Sequence, residues 1–301
     1  MKKLIISAVL LIAGATFASA QLVEIESVRR ISLPEDVLVN VPTISPDGSF
    51  AIVSDIAGTA LTKVDLSTGK TARIADNGSG MHLQISKDGN NVVFRQTTTG
   101  KNRLRHTALK SVNIPTGKVT ELVKPTRNLS GFRLSESGAV SSVADGKFRS
   151  KGIAGAKNAS VPVVGINRGH LELTVDGKTT TLDPQGRGSY LWPSISPDGK
   201  KIVYYKAQSG CYVCDLDGSN ARNLGYIHAP VWLDNNTIVG CQDYDNGQVL
   251  TASKIVASSL DGVMQTLTQD SVIAINPSAD MSGKKIVFST DRGELYVINL
   301  R

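Results

Sequence analysis

Short apolar runs rich in β-branched residues alternate along the chain with polar turns, and one version of this alternation recurs. An apolar segment, a Ser-Pro-Asp-Gly turn and a second apolar segment stand at Pro42-Thr43-Ile44-Ser45-Pro46-Asp47-Gly48, with residues 50–53 behind it. The pattern returns almost intact at Pro193-Ser194-Ile195-Ser196-Pro197-Asp198-Gly199, followed by Ile202-Val203-Tyr204-Tyr205. A third copy is Leu83-Gln84-Ile85-Ser86-Lys87-Asp88-Gly89. Looser copies begin at Phe132, Pro230 and Pro277. The turn residues have separate physical jobs: proline presets φ, aspartate hydrogen-bonds its own backbone, and glycine takes the positive-φ corner. Apolar runs of this length beside such turns read as strands.

The six copies start at residues 42, 83, 132, 193, 230 and 277, a period of about 47 residues. That period with strand-like content predicts a propeller of four-stranded blades. Further turns at Leu66-Ser67-Thr68-Gly69, Ile114-Pro115-Thr116-Gly117, Val175-Asp176-Gly177, Leu216-Asp217-Gly218 and Leu260-Asp261-Gly262 fit a third-to-fourth-strand hairpin. The last copy lacks one. Residues 23–32, ahead of the first copy, supply the missing strand and pair with residues 294–299. The expectation is therefore all-β: a six-bladed propeller of four antiparallel strands per blade, closed by the N-terminal strand and spanning residues 21–301. The copy at Phe132 runs long, and its excess reads as a basic loop inserted at residues 145–159.

The first twenty residues stand outside this pattern. Lys2 and Lys3 precede an apolar run over residues 4–17, and Ala18-Ser19-Ala20 gives small residues at the right spacing for signal peptidase. Residues 1–20 read as a cleaved secretory signal peptide. No cysteine follows the cleavage site, so the expected product is periplasmic or secreted without a lipid anchor or membrane span.

Composition narrows the rest. Across 301 residues, 41% are hydrophobic, which suits a chain with a packed core and not a disordered one. Three cysteines exclude a disulfide scaffold. Cys211 and Cys214 lie on one predicted strand and Cys241 in the next blade, so no disulfide is expected. The net charge is +7, and two of those charges leave with the signal peptide. The densest basic stretch, Lys101, Arg103, Arg105, His106 and Lys110, reads as a solvated strand edge and not a nucleic-acid surface.

The form Pro193-Ser194-Ile195-Ser196-Pro197-Asp198-Gly199-Lys200-Lys201-Ile202-Val203-Tyr204 resembles the WD-type repeat of TolB-like propellers. The resemblance covers the expected mature chain and implies a bacterial periplasmic propeller that acts through binding. About 21 residues separate the expected cleavage site from the first copy, so the likeness is to the propeller alone, without an N-terminal α/β domain.

No Gly-x-Ser-x-Gly elbow or phosphate loop occurs, and the four histidines have no metal-ligand spacing. No catalytic residue, metal or cofactor is assigned. The second motif position reads Thr43, Gln84, Arg133, Ser194, Val231, Ser278, mostly small and neutral, which favours a binding propeller. The alternative is a lactonase- or lyase-like propeller enzyme with groups converging on the channel. The expected ligand contacts, where innermost strands begin, are His82, Arg133, Trp192, His228 and Asn276. Arg133 is the one charge at its position and offers a fork for carboxylate or phosphate, unless Glu136 takes it. The partner is an envelope or secreted protein or a small ligand, and the protein is expected to be a monomer.

Overall fold

The computed structural model describes residues 21–301 apart from Asn102, so the expected signal peptide lies outside the described residues. The chain opens with β1 (Ile25–Ile31). The first blade is β2 (Val41–Ile44), β3 (Phe50–Ser54), β4 (Ala60–Asp65) and β5 (Thr71–Asp76). The second is β6 (Ser79–Ile85), β7 (Asn91–Thr99), β8 (Arg105–Asn113) and β9 (Val119–Thr126). Two three-stranded blades follow: β10 (Leu129–Leu134), β11 (Ala139–Ala144) and β12 (Lys147–Gly152), then β13 (Val163–Asn167), β14 (His170–Val175) and β15 (Lys178–Thr181). The fifth blade is β16 (Tyr190–Ile195), β17 (Lys201–Lys206), β18 (Gly210–Asp215) and β19 (Arg222–Gly225). The sixth is β20 (His228–Trp232), β21 (Thr237–Asp245), β22 (Leu250–Ser259) and β23 (Met264–Thr266). In the last blade β24 (Ala274–Ala279), β25 (Lys285–Thr290) and β26 (Leu295–Leu300) are joined by β1 at the outer edge.

The propeller therefore has seven blades, not the expected six, and two of them have three strands instead of four. The long copy at Phe132 is two short blades in tandem. Its supposed basic loop is the strand β12, paired to β11 without a register break, plus the link to β13. Lys147, Arg149 and Lys151 alternate outward on β12, as charges do on a solvated sheet edge. The extra blade escapes a count of Ser-Pro-Asp-Gly turns because it has none. Its first hairpin turns tightly through Arg168 and Gly169, both at positive φ.

The ring closes where the chain ends meet. β1 pairs antiparallel with β26 from Ile25 opposite Leu300 to Ile31 opposite Leu295. Neighbouring blades bury apolar side chains between them, such as Ile52, Leu61 and Phe94 between the first and second. Between the two short blades, backbones replace side chains. A Cβ on Gly131 would lie 2.5 Å from the Val164 carbonyl oxygen, and one on Gly165 would lie 2.7 Å from that of Ser130. Only glycine permits that approach.

In the blades that carry it, the recurrent turn holds the innermost strand to the next. Ser45 Oγ donates to Asp47 and accepts from the backbone N–H groups of Ser49 and Phe50. Ser196 and Asp198 repeat this arrangement. In the last blade the Asp280 carboxylate takes the serine's place, accepting from Lys284 and Lys285 N–H. Cys211, Cys214 and Cys241 are buried free thiols. Cys211 faces the sixth blade and Cys214 the fourth, since residues three apart on a strand point to opposite sides. Among the described residues, no helix is long and apolar enough to cross a membrane.

Candidate functional site

The seven innermost strands, β2, β6, β10, β13, β16, β20 and β24, surround a central cavity of about 560 Å³. That is within the usual size of a small-molecule site. Its near end is where these strands begin, and its far end is where they reach the Ser-Pro-Asp-Gly turns.

Four of these strands share one irregularity. The pairing register breaks between Ser79 and Gln84, Leu191 and Ser194, His228 and Val231, and Ile275 and Ser278. At each break one non-glycine residue takes the left-handed conformation: His82 (φ 57), Trp192 (φ 48), Ala229 (φ 45) and Asn276 (φ 53). Such residues are strained, and bulges of this kind re-aim side chains. Here all four line the near half of the channel.

The residues expected from the sequence fall into two levels and one outlier. His82, Trp192 and Asn276 occupy the bulge level and line the cavity. Asn276 is also structural, donating from Nδ2 to the Asn40 carbonyl of the first blade at 2.9 Å. Arg133 lies deeper, level with Thr43, Gln84, Ser194, Val231 and Ser278, all of which line the cavity. His228 is not in the wall; its neighbour Ala229 takes that place. The His228 ring instead ties Tyr205 Oη, at 2.8 Å from Nε2, to Asp243, at 2.7 Å from Nδ1. Burial works against the Asp243 carboxylate, but bonds from His228 and Ser253 outweigh it and hold the pKa below its ordinary value. Trp192 packs against both Tyr205 and His228, so this chain of bonds backs the wall from behind.

The electrostatics of the wall are one-sided. Two arginines, Arg95 and Arg133, reach the cavity, and among the described residues no aspartate or glutamate lines it. Arg133 makes one long bond, from a terminal nitrogen to the Ser196 carbonyl at 3.4 Å. Glu136 is not its partner, because Lys87 holds that carboxylate. Arg95 lies over the Phe132 ring, 5.7 Å from its centre, and its buried Nε has no hydrogen-bond partner. Burial lowers the pKa of both arginines. They stay charged, because a guanidinium does not lose its proton in a protein. The one other buried side-chain polar atom without a partner, among the described residues, is Ser194 Oγ in the same wall. Buried polar groups are nearly always paired, so two orphans in one cavity mark a place where something else binds.

His82 shows what this field does. Its ring is open to the channel, yet protein surrounds it. That enclosure first, and the Arg95 charge second, push its pKa down to about 4, so it is neutral at pH 7.

Arg95 is absent from the residues expected at the site, although a signal for it exists in the repeat. The strand pairings put Ser54, Val143, Tyr205, Cys241 and Ser289 at the equivalent place in the other five blades that carry the repeat, so Arg95 is the one charge among these six. The comparison that singles out Arg133 on the first strand of its unit works equally on the second.

No protein-family model matches the chain, and no curated protein is similar to it. Solved structures are. A putative TolB from Agrobacterium tumefaciens is 18% identical with a TM-score of 0.55, over 88% of this chain and 91% of that one. The β-propeller domain of the Trilobed protease from Pyrococcus furiosus is 11% identical with a TM-score of 0.59, over 87% and 95%. The oligogalacturonate lyase of Vibrio parahaemolyticus is 12% identical with a TM-score of 0.59, over 92% and 95%. At these identities the likeness establishes the TolB-like propeller fold and nothing about activity.

Proposed function

We propose that this protein is an exported, non-enzymatic binding propeller whose central channel receives an anionic ligand. The observation that carries the reading is the pair of desolvated arginines facing a cavity in which no described residue contributes a carboxylate. Desolvated positive charge is costly unless it is paired. A carboxylate, phosphate or sulfonate supplies such a partner, accepting either the free Arg95 Nε–H or the fork of Arg133. Ser194 Oγ adds a donor, and Trp192 and Trp232 add apolar surface for the body of the ligand. Export rests on Lys2, Lys3, the apolar run and the Ala18-Ser19-Ala20 site.

A second reading, a propeller enzyme, draws on the Tyr205–His228–Asp243 chain, in which a histidine links a hydroxyl to a carboxylate. Tyr205 is only 7% exposed and lies behind Trp192. The chain therefore serves better as a support for the wall than as a reacting group.

The test uses three compounds with one carbon skeleton: cyclohexanecarboxylate, cyclohexylmethanol and cyclohexylmethylamine. Calorimetry should show the carboxylate binding best and the amine not at all. An equal or better affinity for the alcohol would refute an anion site.

A further inference from the structure

The two arginines do not share one level of the channel. Arg95 is level with Ser79, at the start of its innermost strand. Two residues along the same strand Val93 pairs with Gln84. Gln84 in turn accepts from the Leu134 N–H and donates to the Phe132 carbonyl, which fixes it at the level of Arg133. Two strand residues separate the levels by about 7 Å. The side chains diverge further: Arg133 reaches to Ser196, at the beginning of the far-end turn, whereas Arg95 stays over Phe132.

The rest of the wall is of a different character. Trp192 falls between the two levels, and Trp232 and Leu134, one residue beyond the Arg133 level, line the cavity next to it. Trp232 is fixed by its indole N–H, which donates to the Ser194 carbonyl at 3.3 Å. The cavity thus has positive charge at two depths, with Trp192 between them and the Trp232 indole reaching back to the Arg133 level.

We propose that the channel binds an elongated dianion lengthwise, one anionic group at Arg95 and the other at Arg133, with an apolar spacer against the two tryptophans. This rests on the anion reading above and makes it specific. A single small anion cannot meet both guanidinium groups at once across two levels, and would leave one desolvated charge unpaired. A ligand with two charges at the right spacing satisfies both, and the second contact forms at high effective concentration once the first is made.

The experiment titrates the intact protein with α,ω-dicarboxylates from glutarate to sebacate, and with monocarboxylates of the same lengths. Emission of Trp192 and Trp232 and calorimetry are both recorded. Affinity should peak at one intermediate dicarboxylate and exceed the matched monocarboxylate by about tenfold or more. Arg95→Met and Arg133→Met should each reduce that dicarboxylate to the level of the monocarboxylate. Circular dichroism and the melting temperature check that both variants are folded. If either variant fails to fold, Arg→Lys at the same position replaces it, since lysine keeps the charge but shortens the reach and loses the fork. Equal affinity for mono- and dicarboxylates, with no length optimum, would overturn the two-point inference and leave the anion site standing. Binding of no carboxylate at all would overturn both.

Discussion

The carboxylate of Glu136 lies 2.8 Å from the Lys87 ammonium of the neighbouring blade, and is thereby taken from Arg133, three residues before it. Both partners are well exposed, so the bridge adds little stability. Its consequence is for the channel. The nearest acid in sequence is spent on a cation outside, and the Arg133 charge is left facing the cavity.

Removing either channel charge should weaken anion binding without weakening the fold. A charge-assisted hydrogen bond contributes roughly 1.5–3 kcal/mol. Arg95→Met and Arg133→Met are each expected to cost about that much affinity for the best-fitting dicarboxylate, measured by calorimetry. Arg95→Met should leave the melting temperature unchanged or higher, because it deletes a buried Nε with no partner.

His82 makes the fold sensitive to acid. Its folded pKa of about 4 lies below its ordinary value of 6.5. The unfolded chain therefore binds the proton more readily, and the stability tied to neutral His82 is complete above pH 6.5 and lost as pH falls toward 4. Melting temperatures across that window should decline, and less steeply in His82→Asn. A sulfonate, which stays charged throughout, should bind more tightly as pH falls through the window, because protonated His82 adds a third positive charge to the wall. A pH-independent sulfonate affinity would contradict this.

Gly131 tests the contact between the two short blades. The alanine Cβ would lie 2.5 Å from the Val164 carbonyl oxygen, and backbone must shift to admit it. Gly131→Ala should destabilise by about 1–3 kcal/mol in urea denaturation. Gly146→Ala is the contrast in space: nothing lies within 4 Å of where its Cβ would stand, so any cost there comes from its φ of 69° alone.

The thiols should be silent in the native protein. Burial pushes the Cys211 and Cys214 pKa values up to about 12 and raises that of Cys241 as well, so almost no thiolate exists at neutral pH. A thiol reagent should find no fast-reacting group in the folded protein and three after unfolding without reductant. One free thiol after unfolding would mean that two of them pair.

Much of the ring was legible because its turn chemistry is written in residue types. Ser45, Asp47 and Gly48 carry the same bonds that the sequence pattern implies, and the ends of the chain visibly complete one blade. The blade count was not legible, because the fourth blade turns through Arg168 and Gly169 and carries no marker to count. The channel level of Arg133 followed from the repeat, whereas His228 was one residue out of register with Trp192 and Asn276. That offset arises at a bulge, where the alternation of inward and outward residues breaks. Arg95 sits on a second strand, where the repeat marks it as the one charge at its position, and the pairing of β6 with β7 brings it to the same cavity.

The central claim is that this channel selects negative charge, and the chain carries its own probe. It has two tryptophans, Trp192 and Trp232, and both line the cavity. Quenching of their emission by iodide, caesium and neutral acrylamide, at equal ionic strength, reads which charge enters. The account predicts that iodide quenches several-fold better than caesium, and that the ratio falls sharply in the double variant Arg95→Met, Arg133→Met while acrylamide quenching is unchanged. Equal quenching by iodide and caesium, or a ratio that survives loss of both arginines, would contradict it.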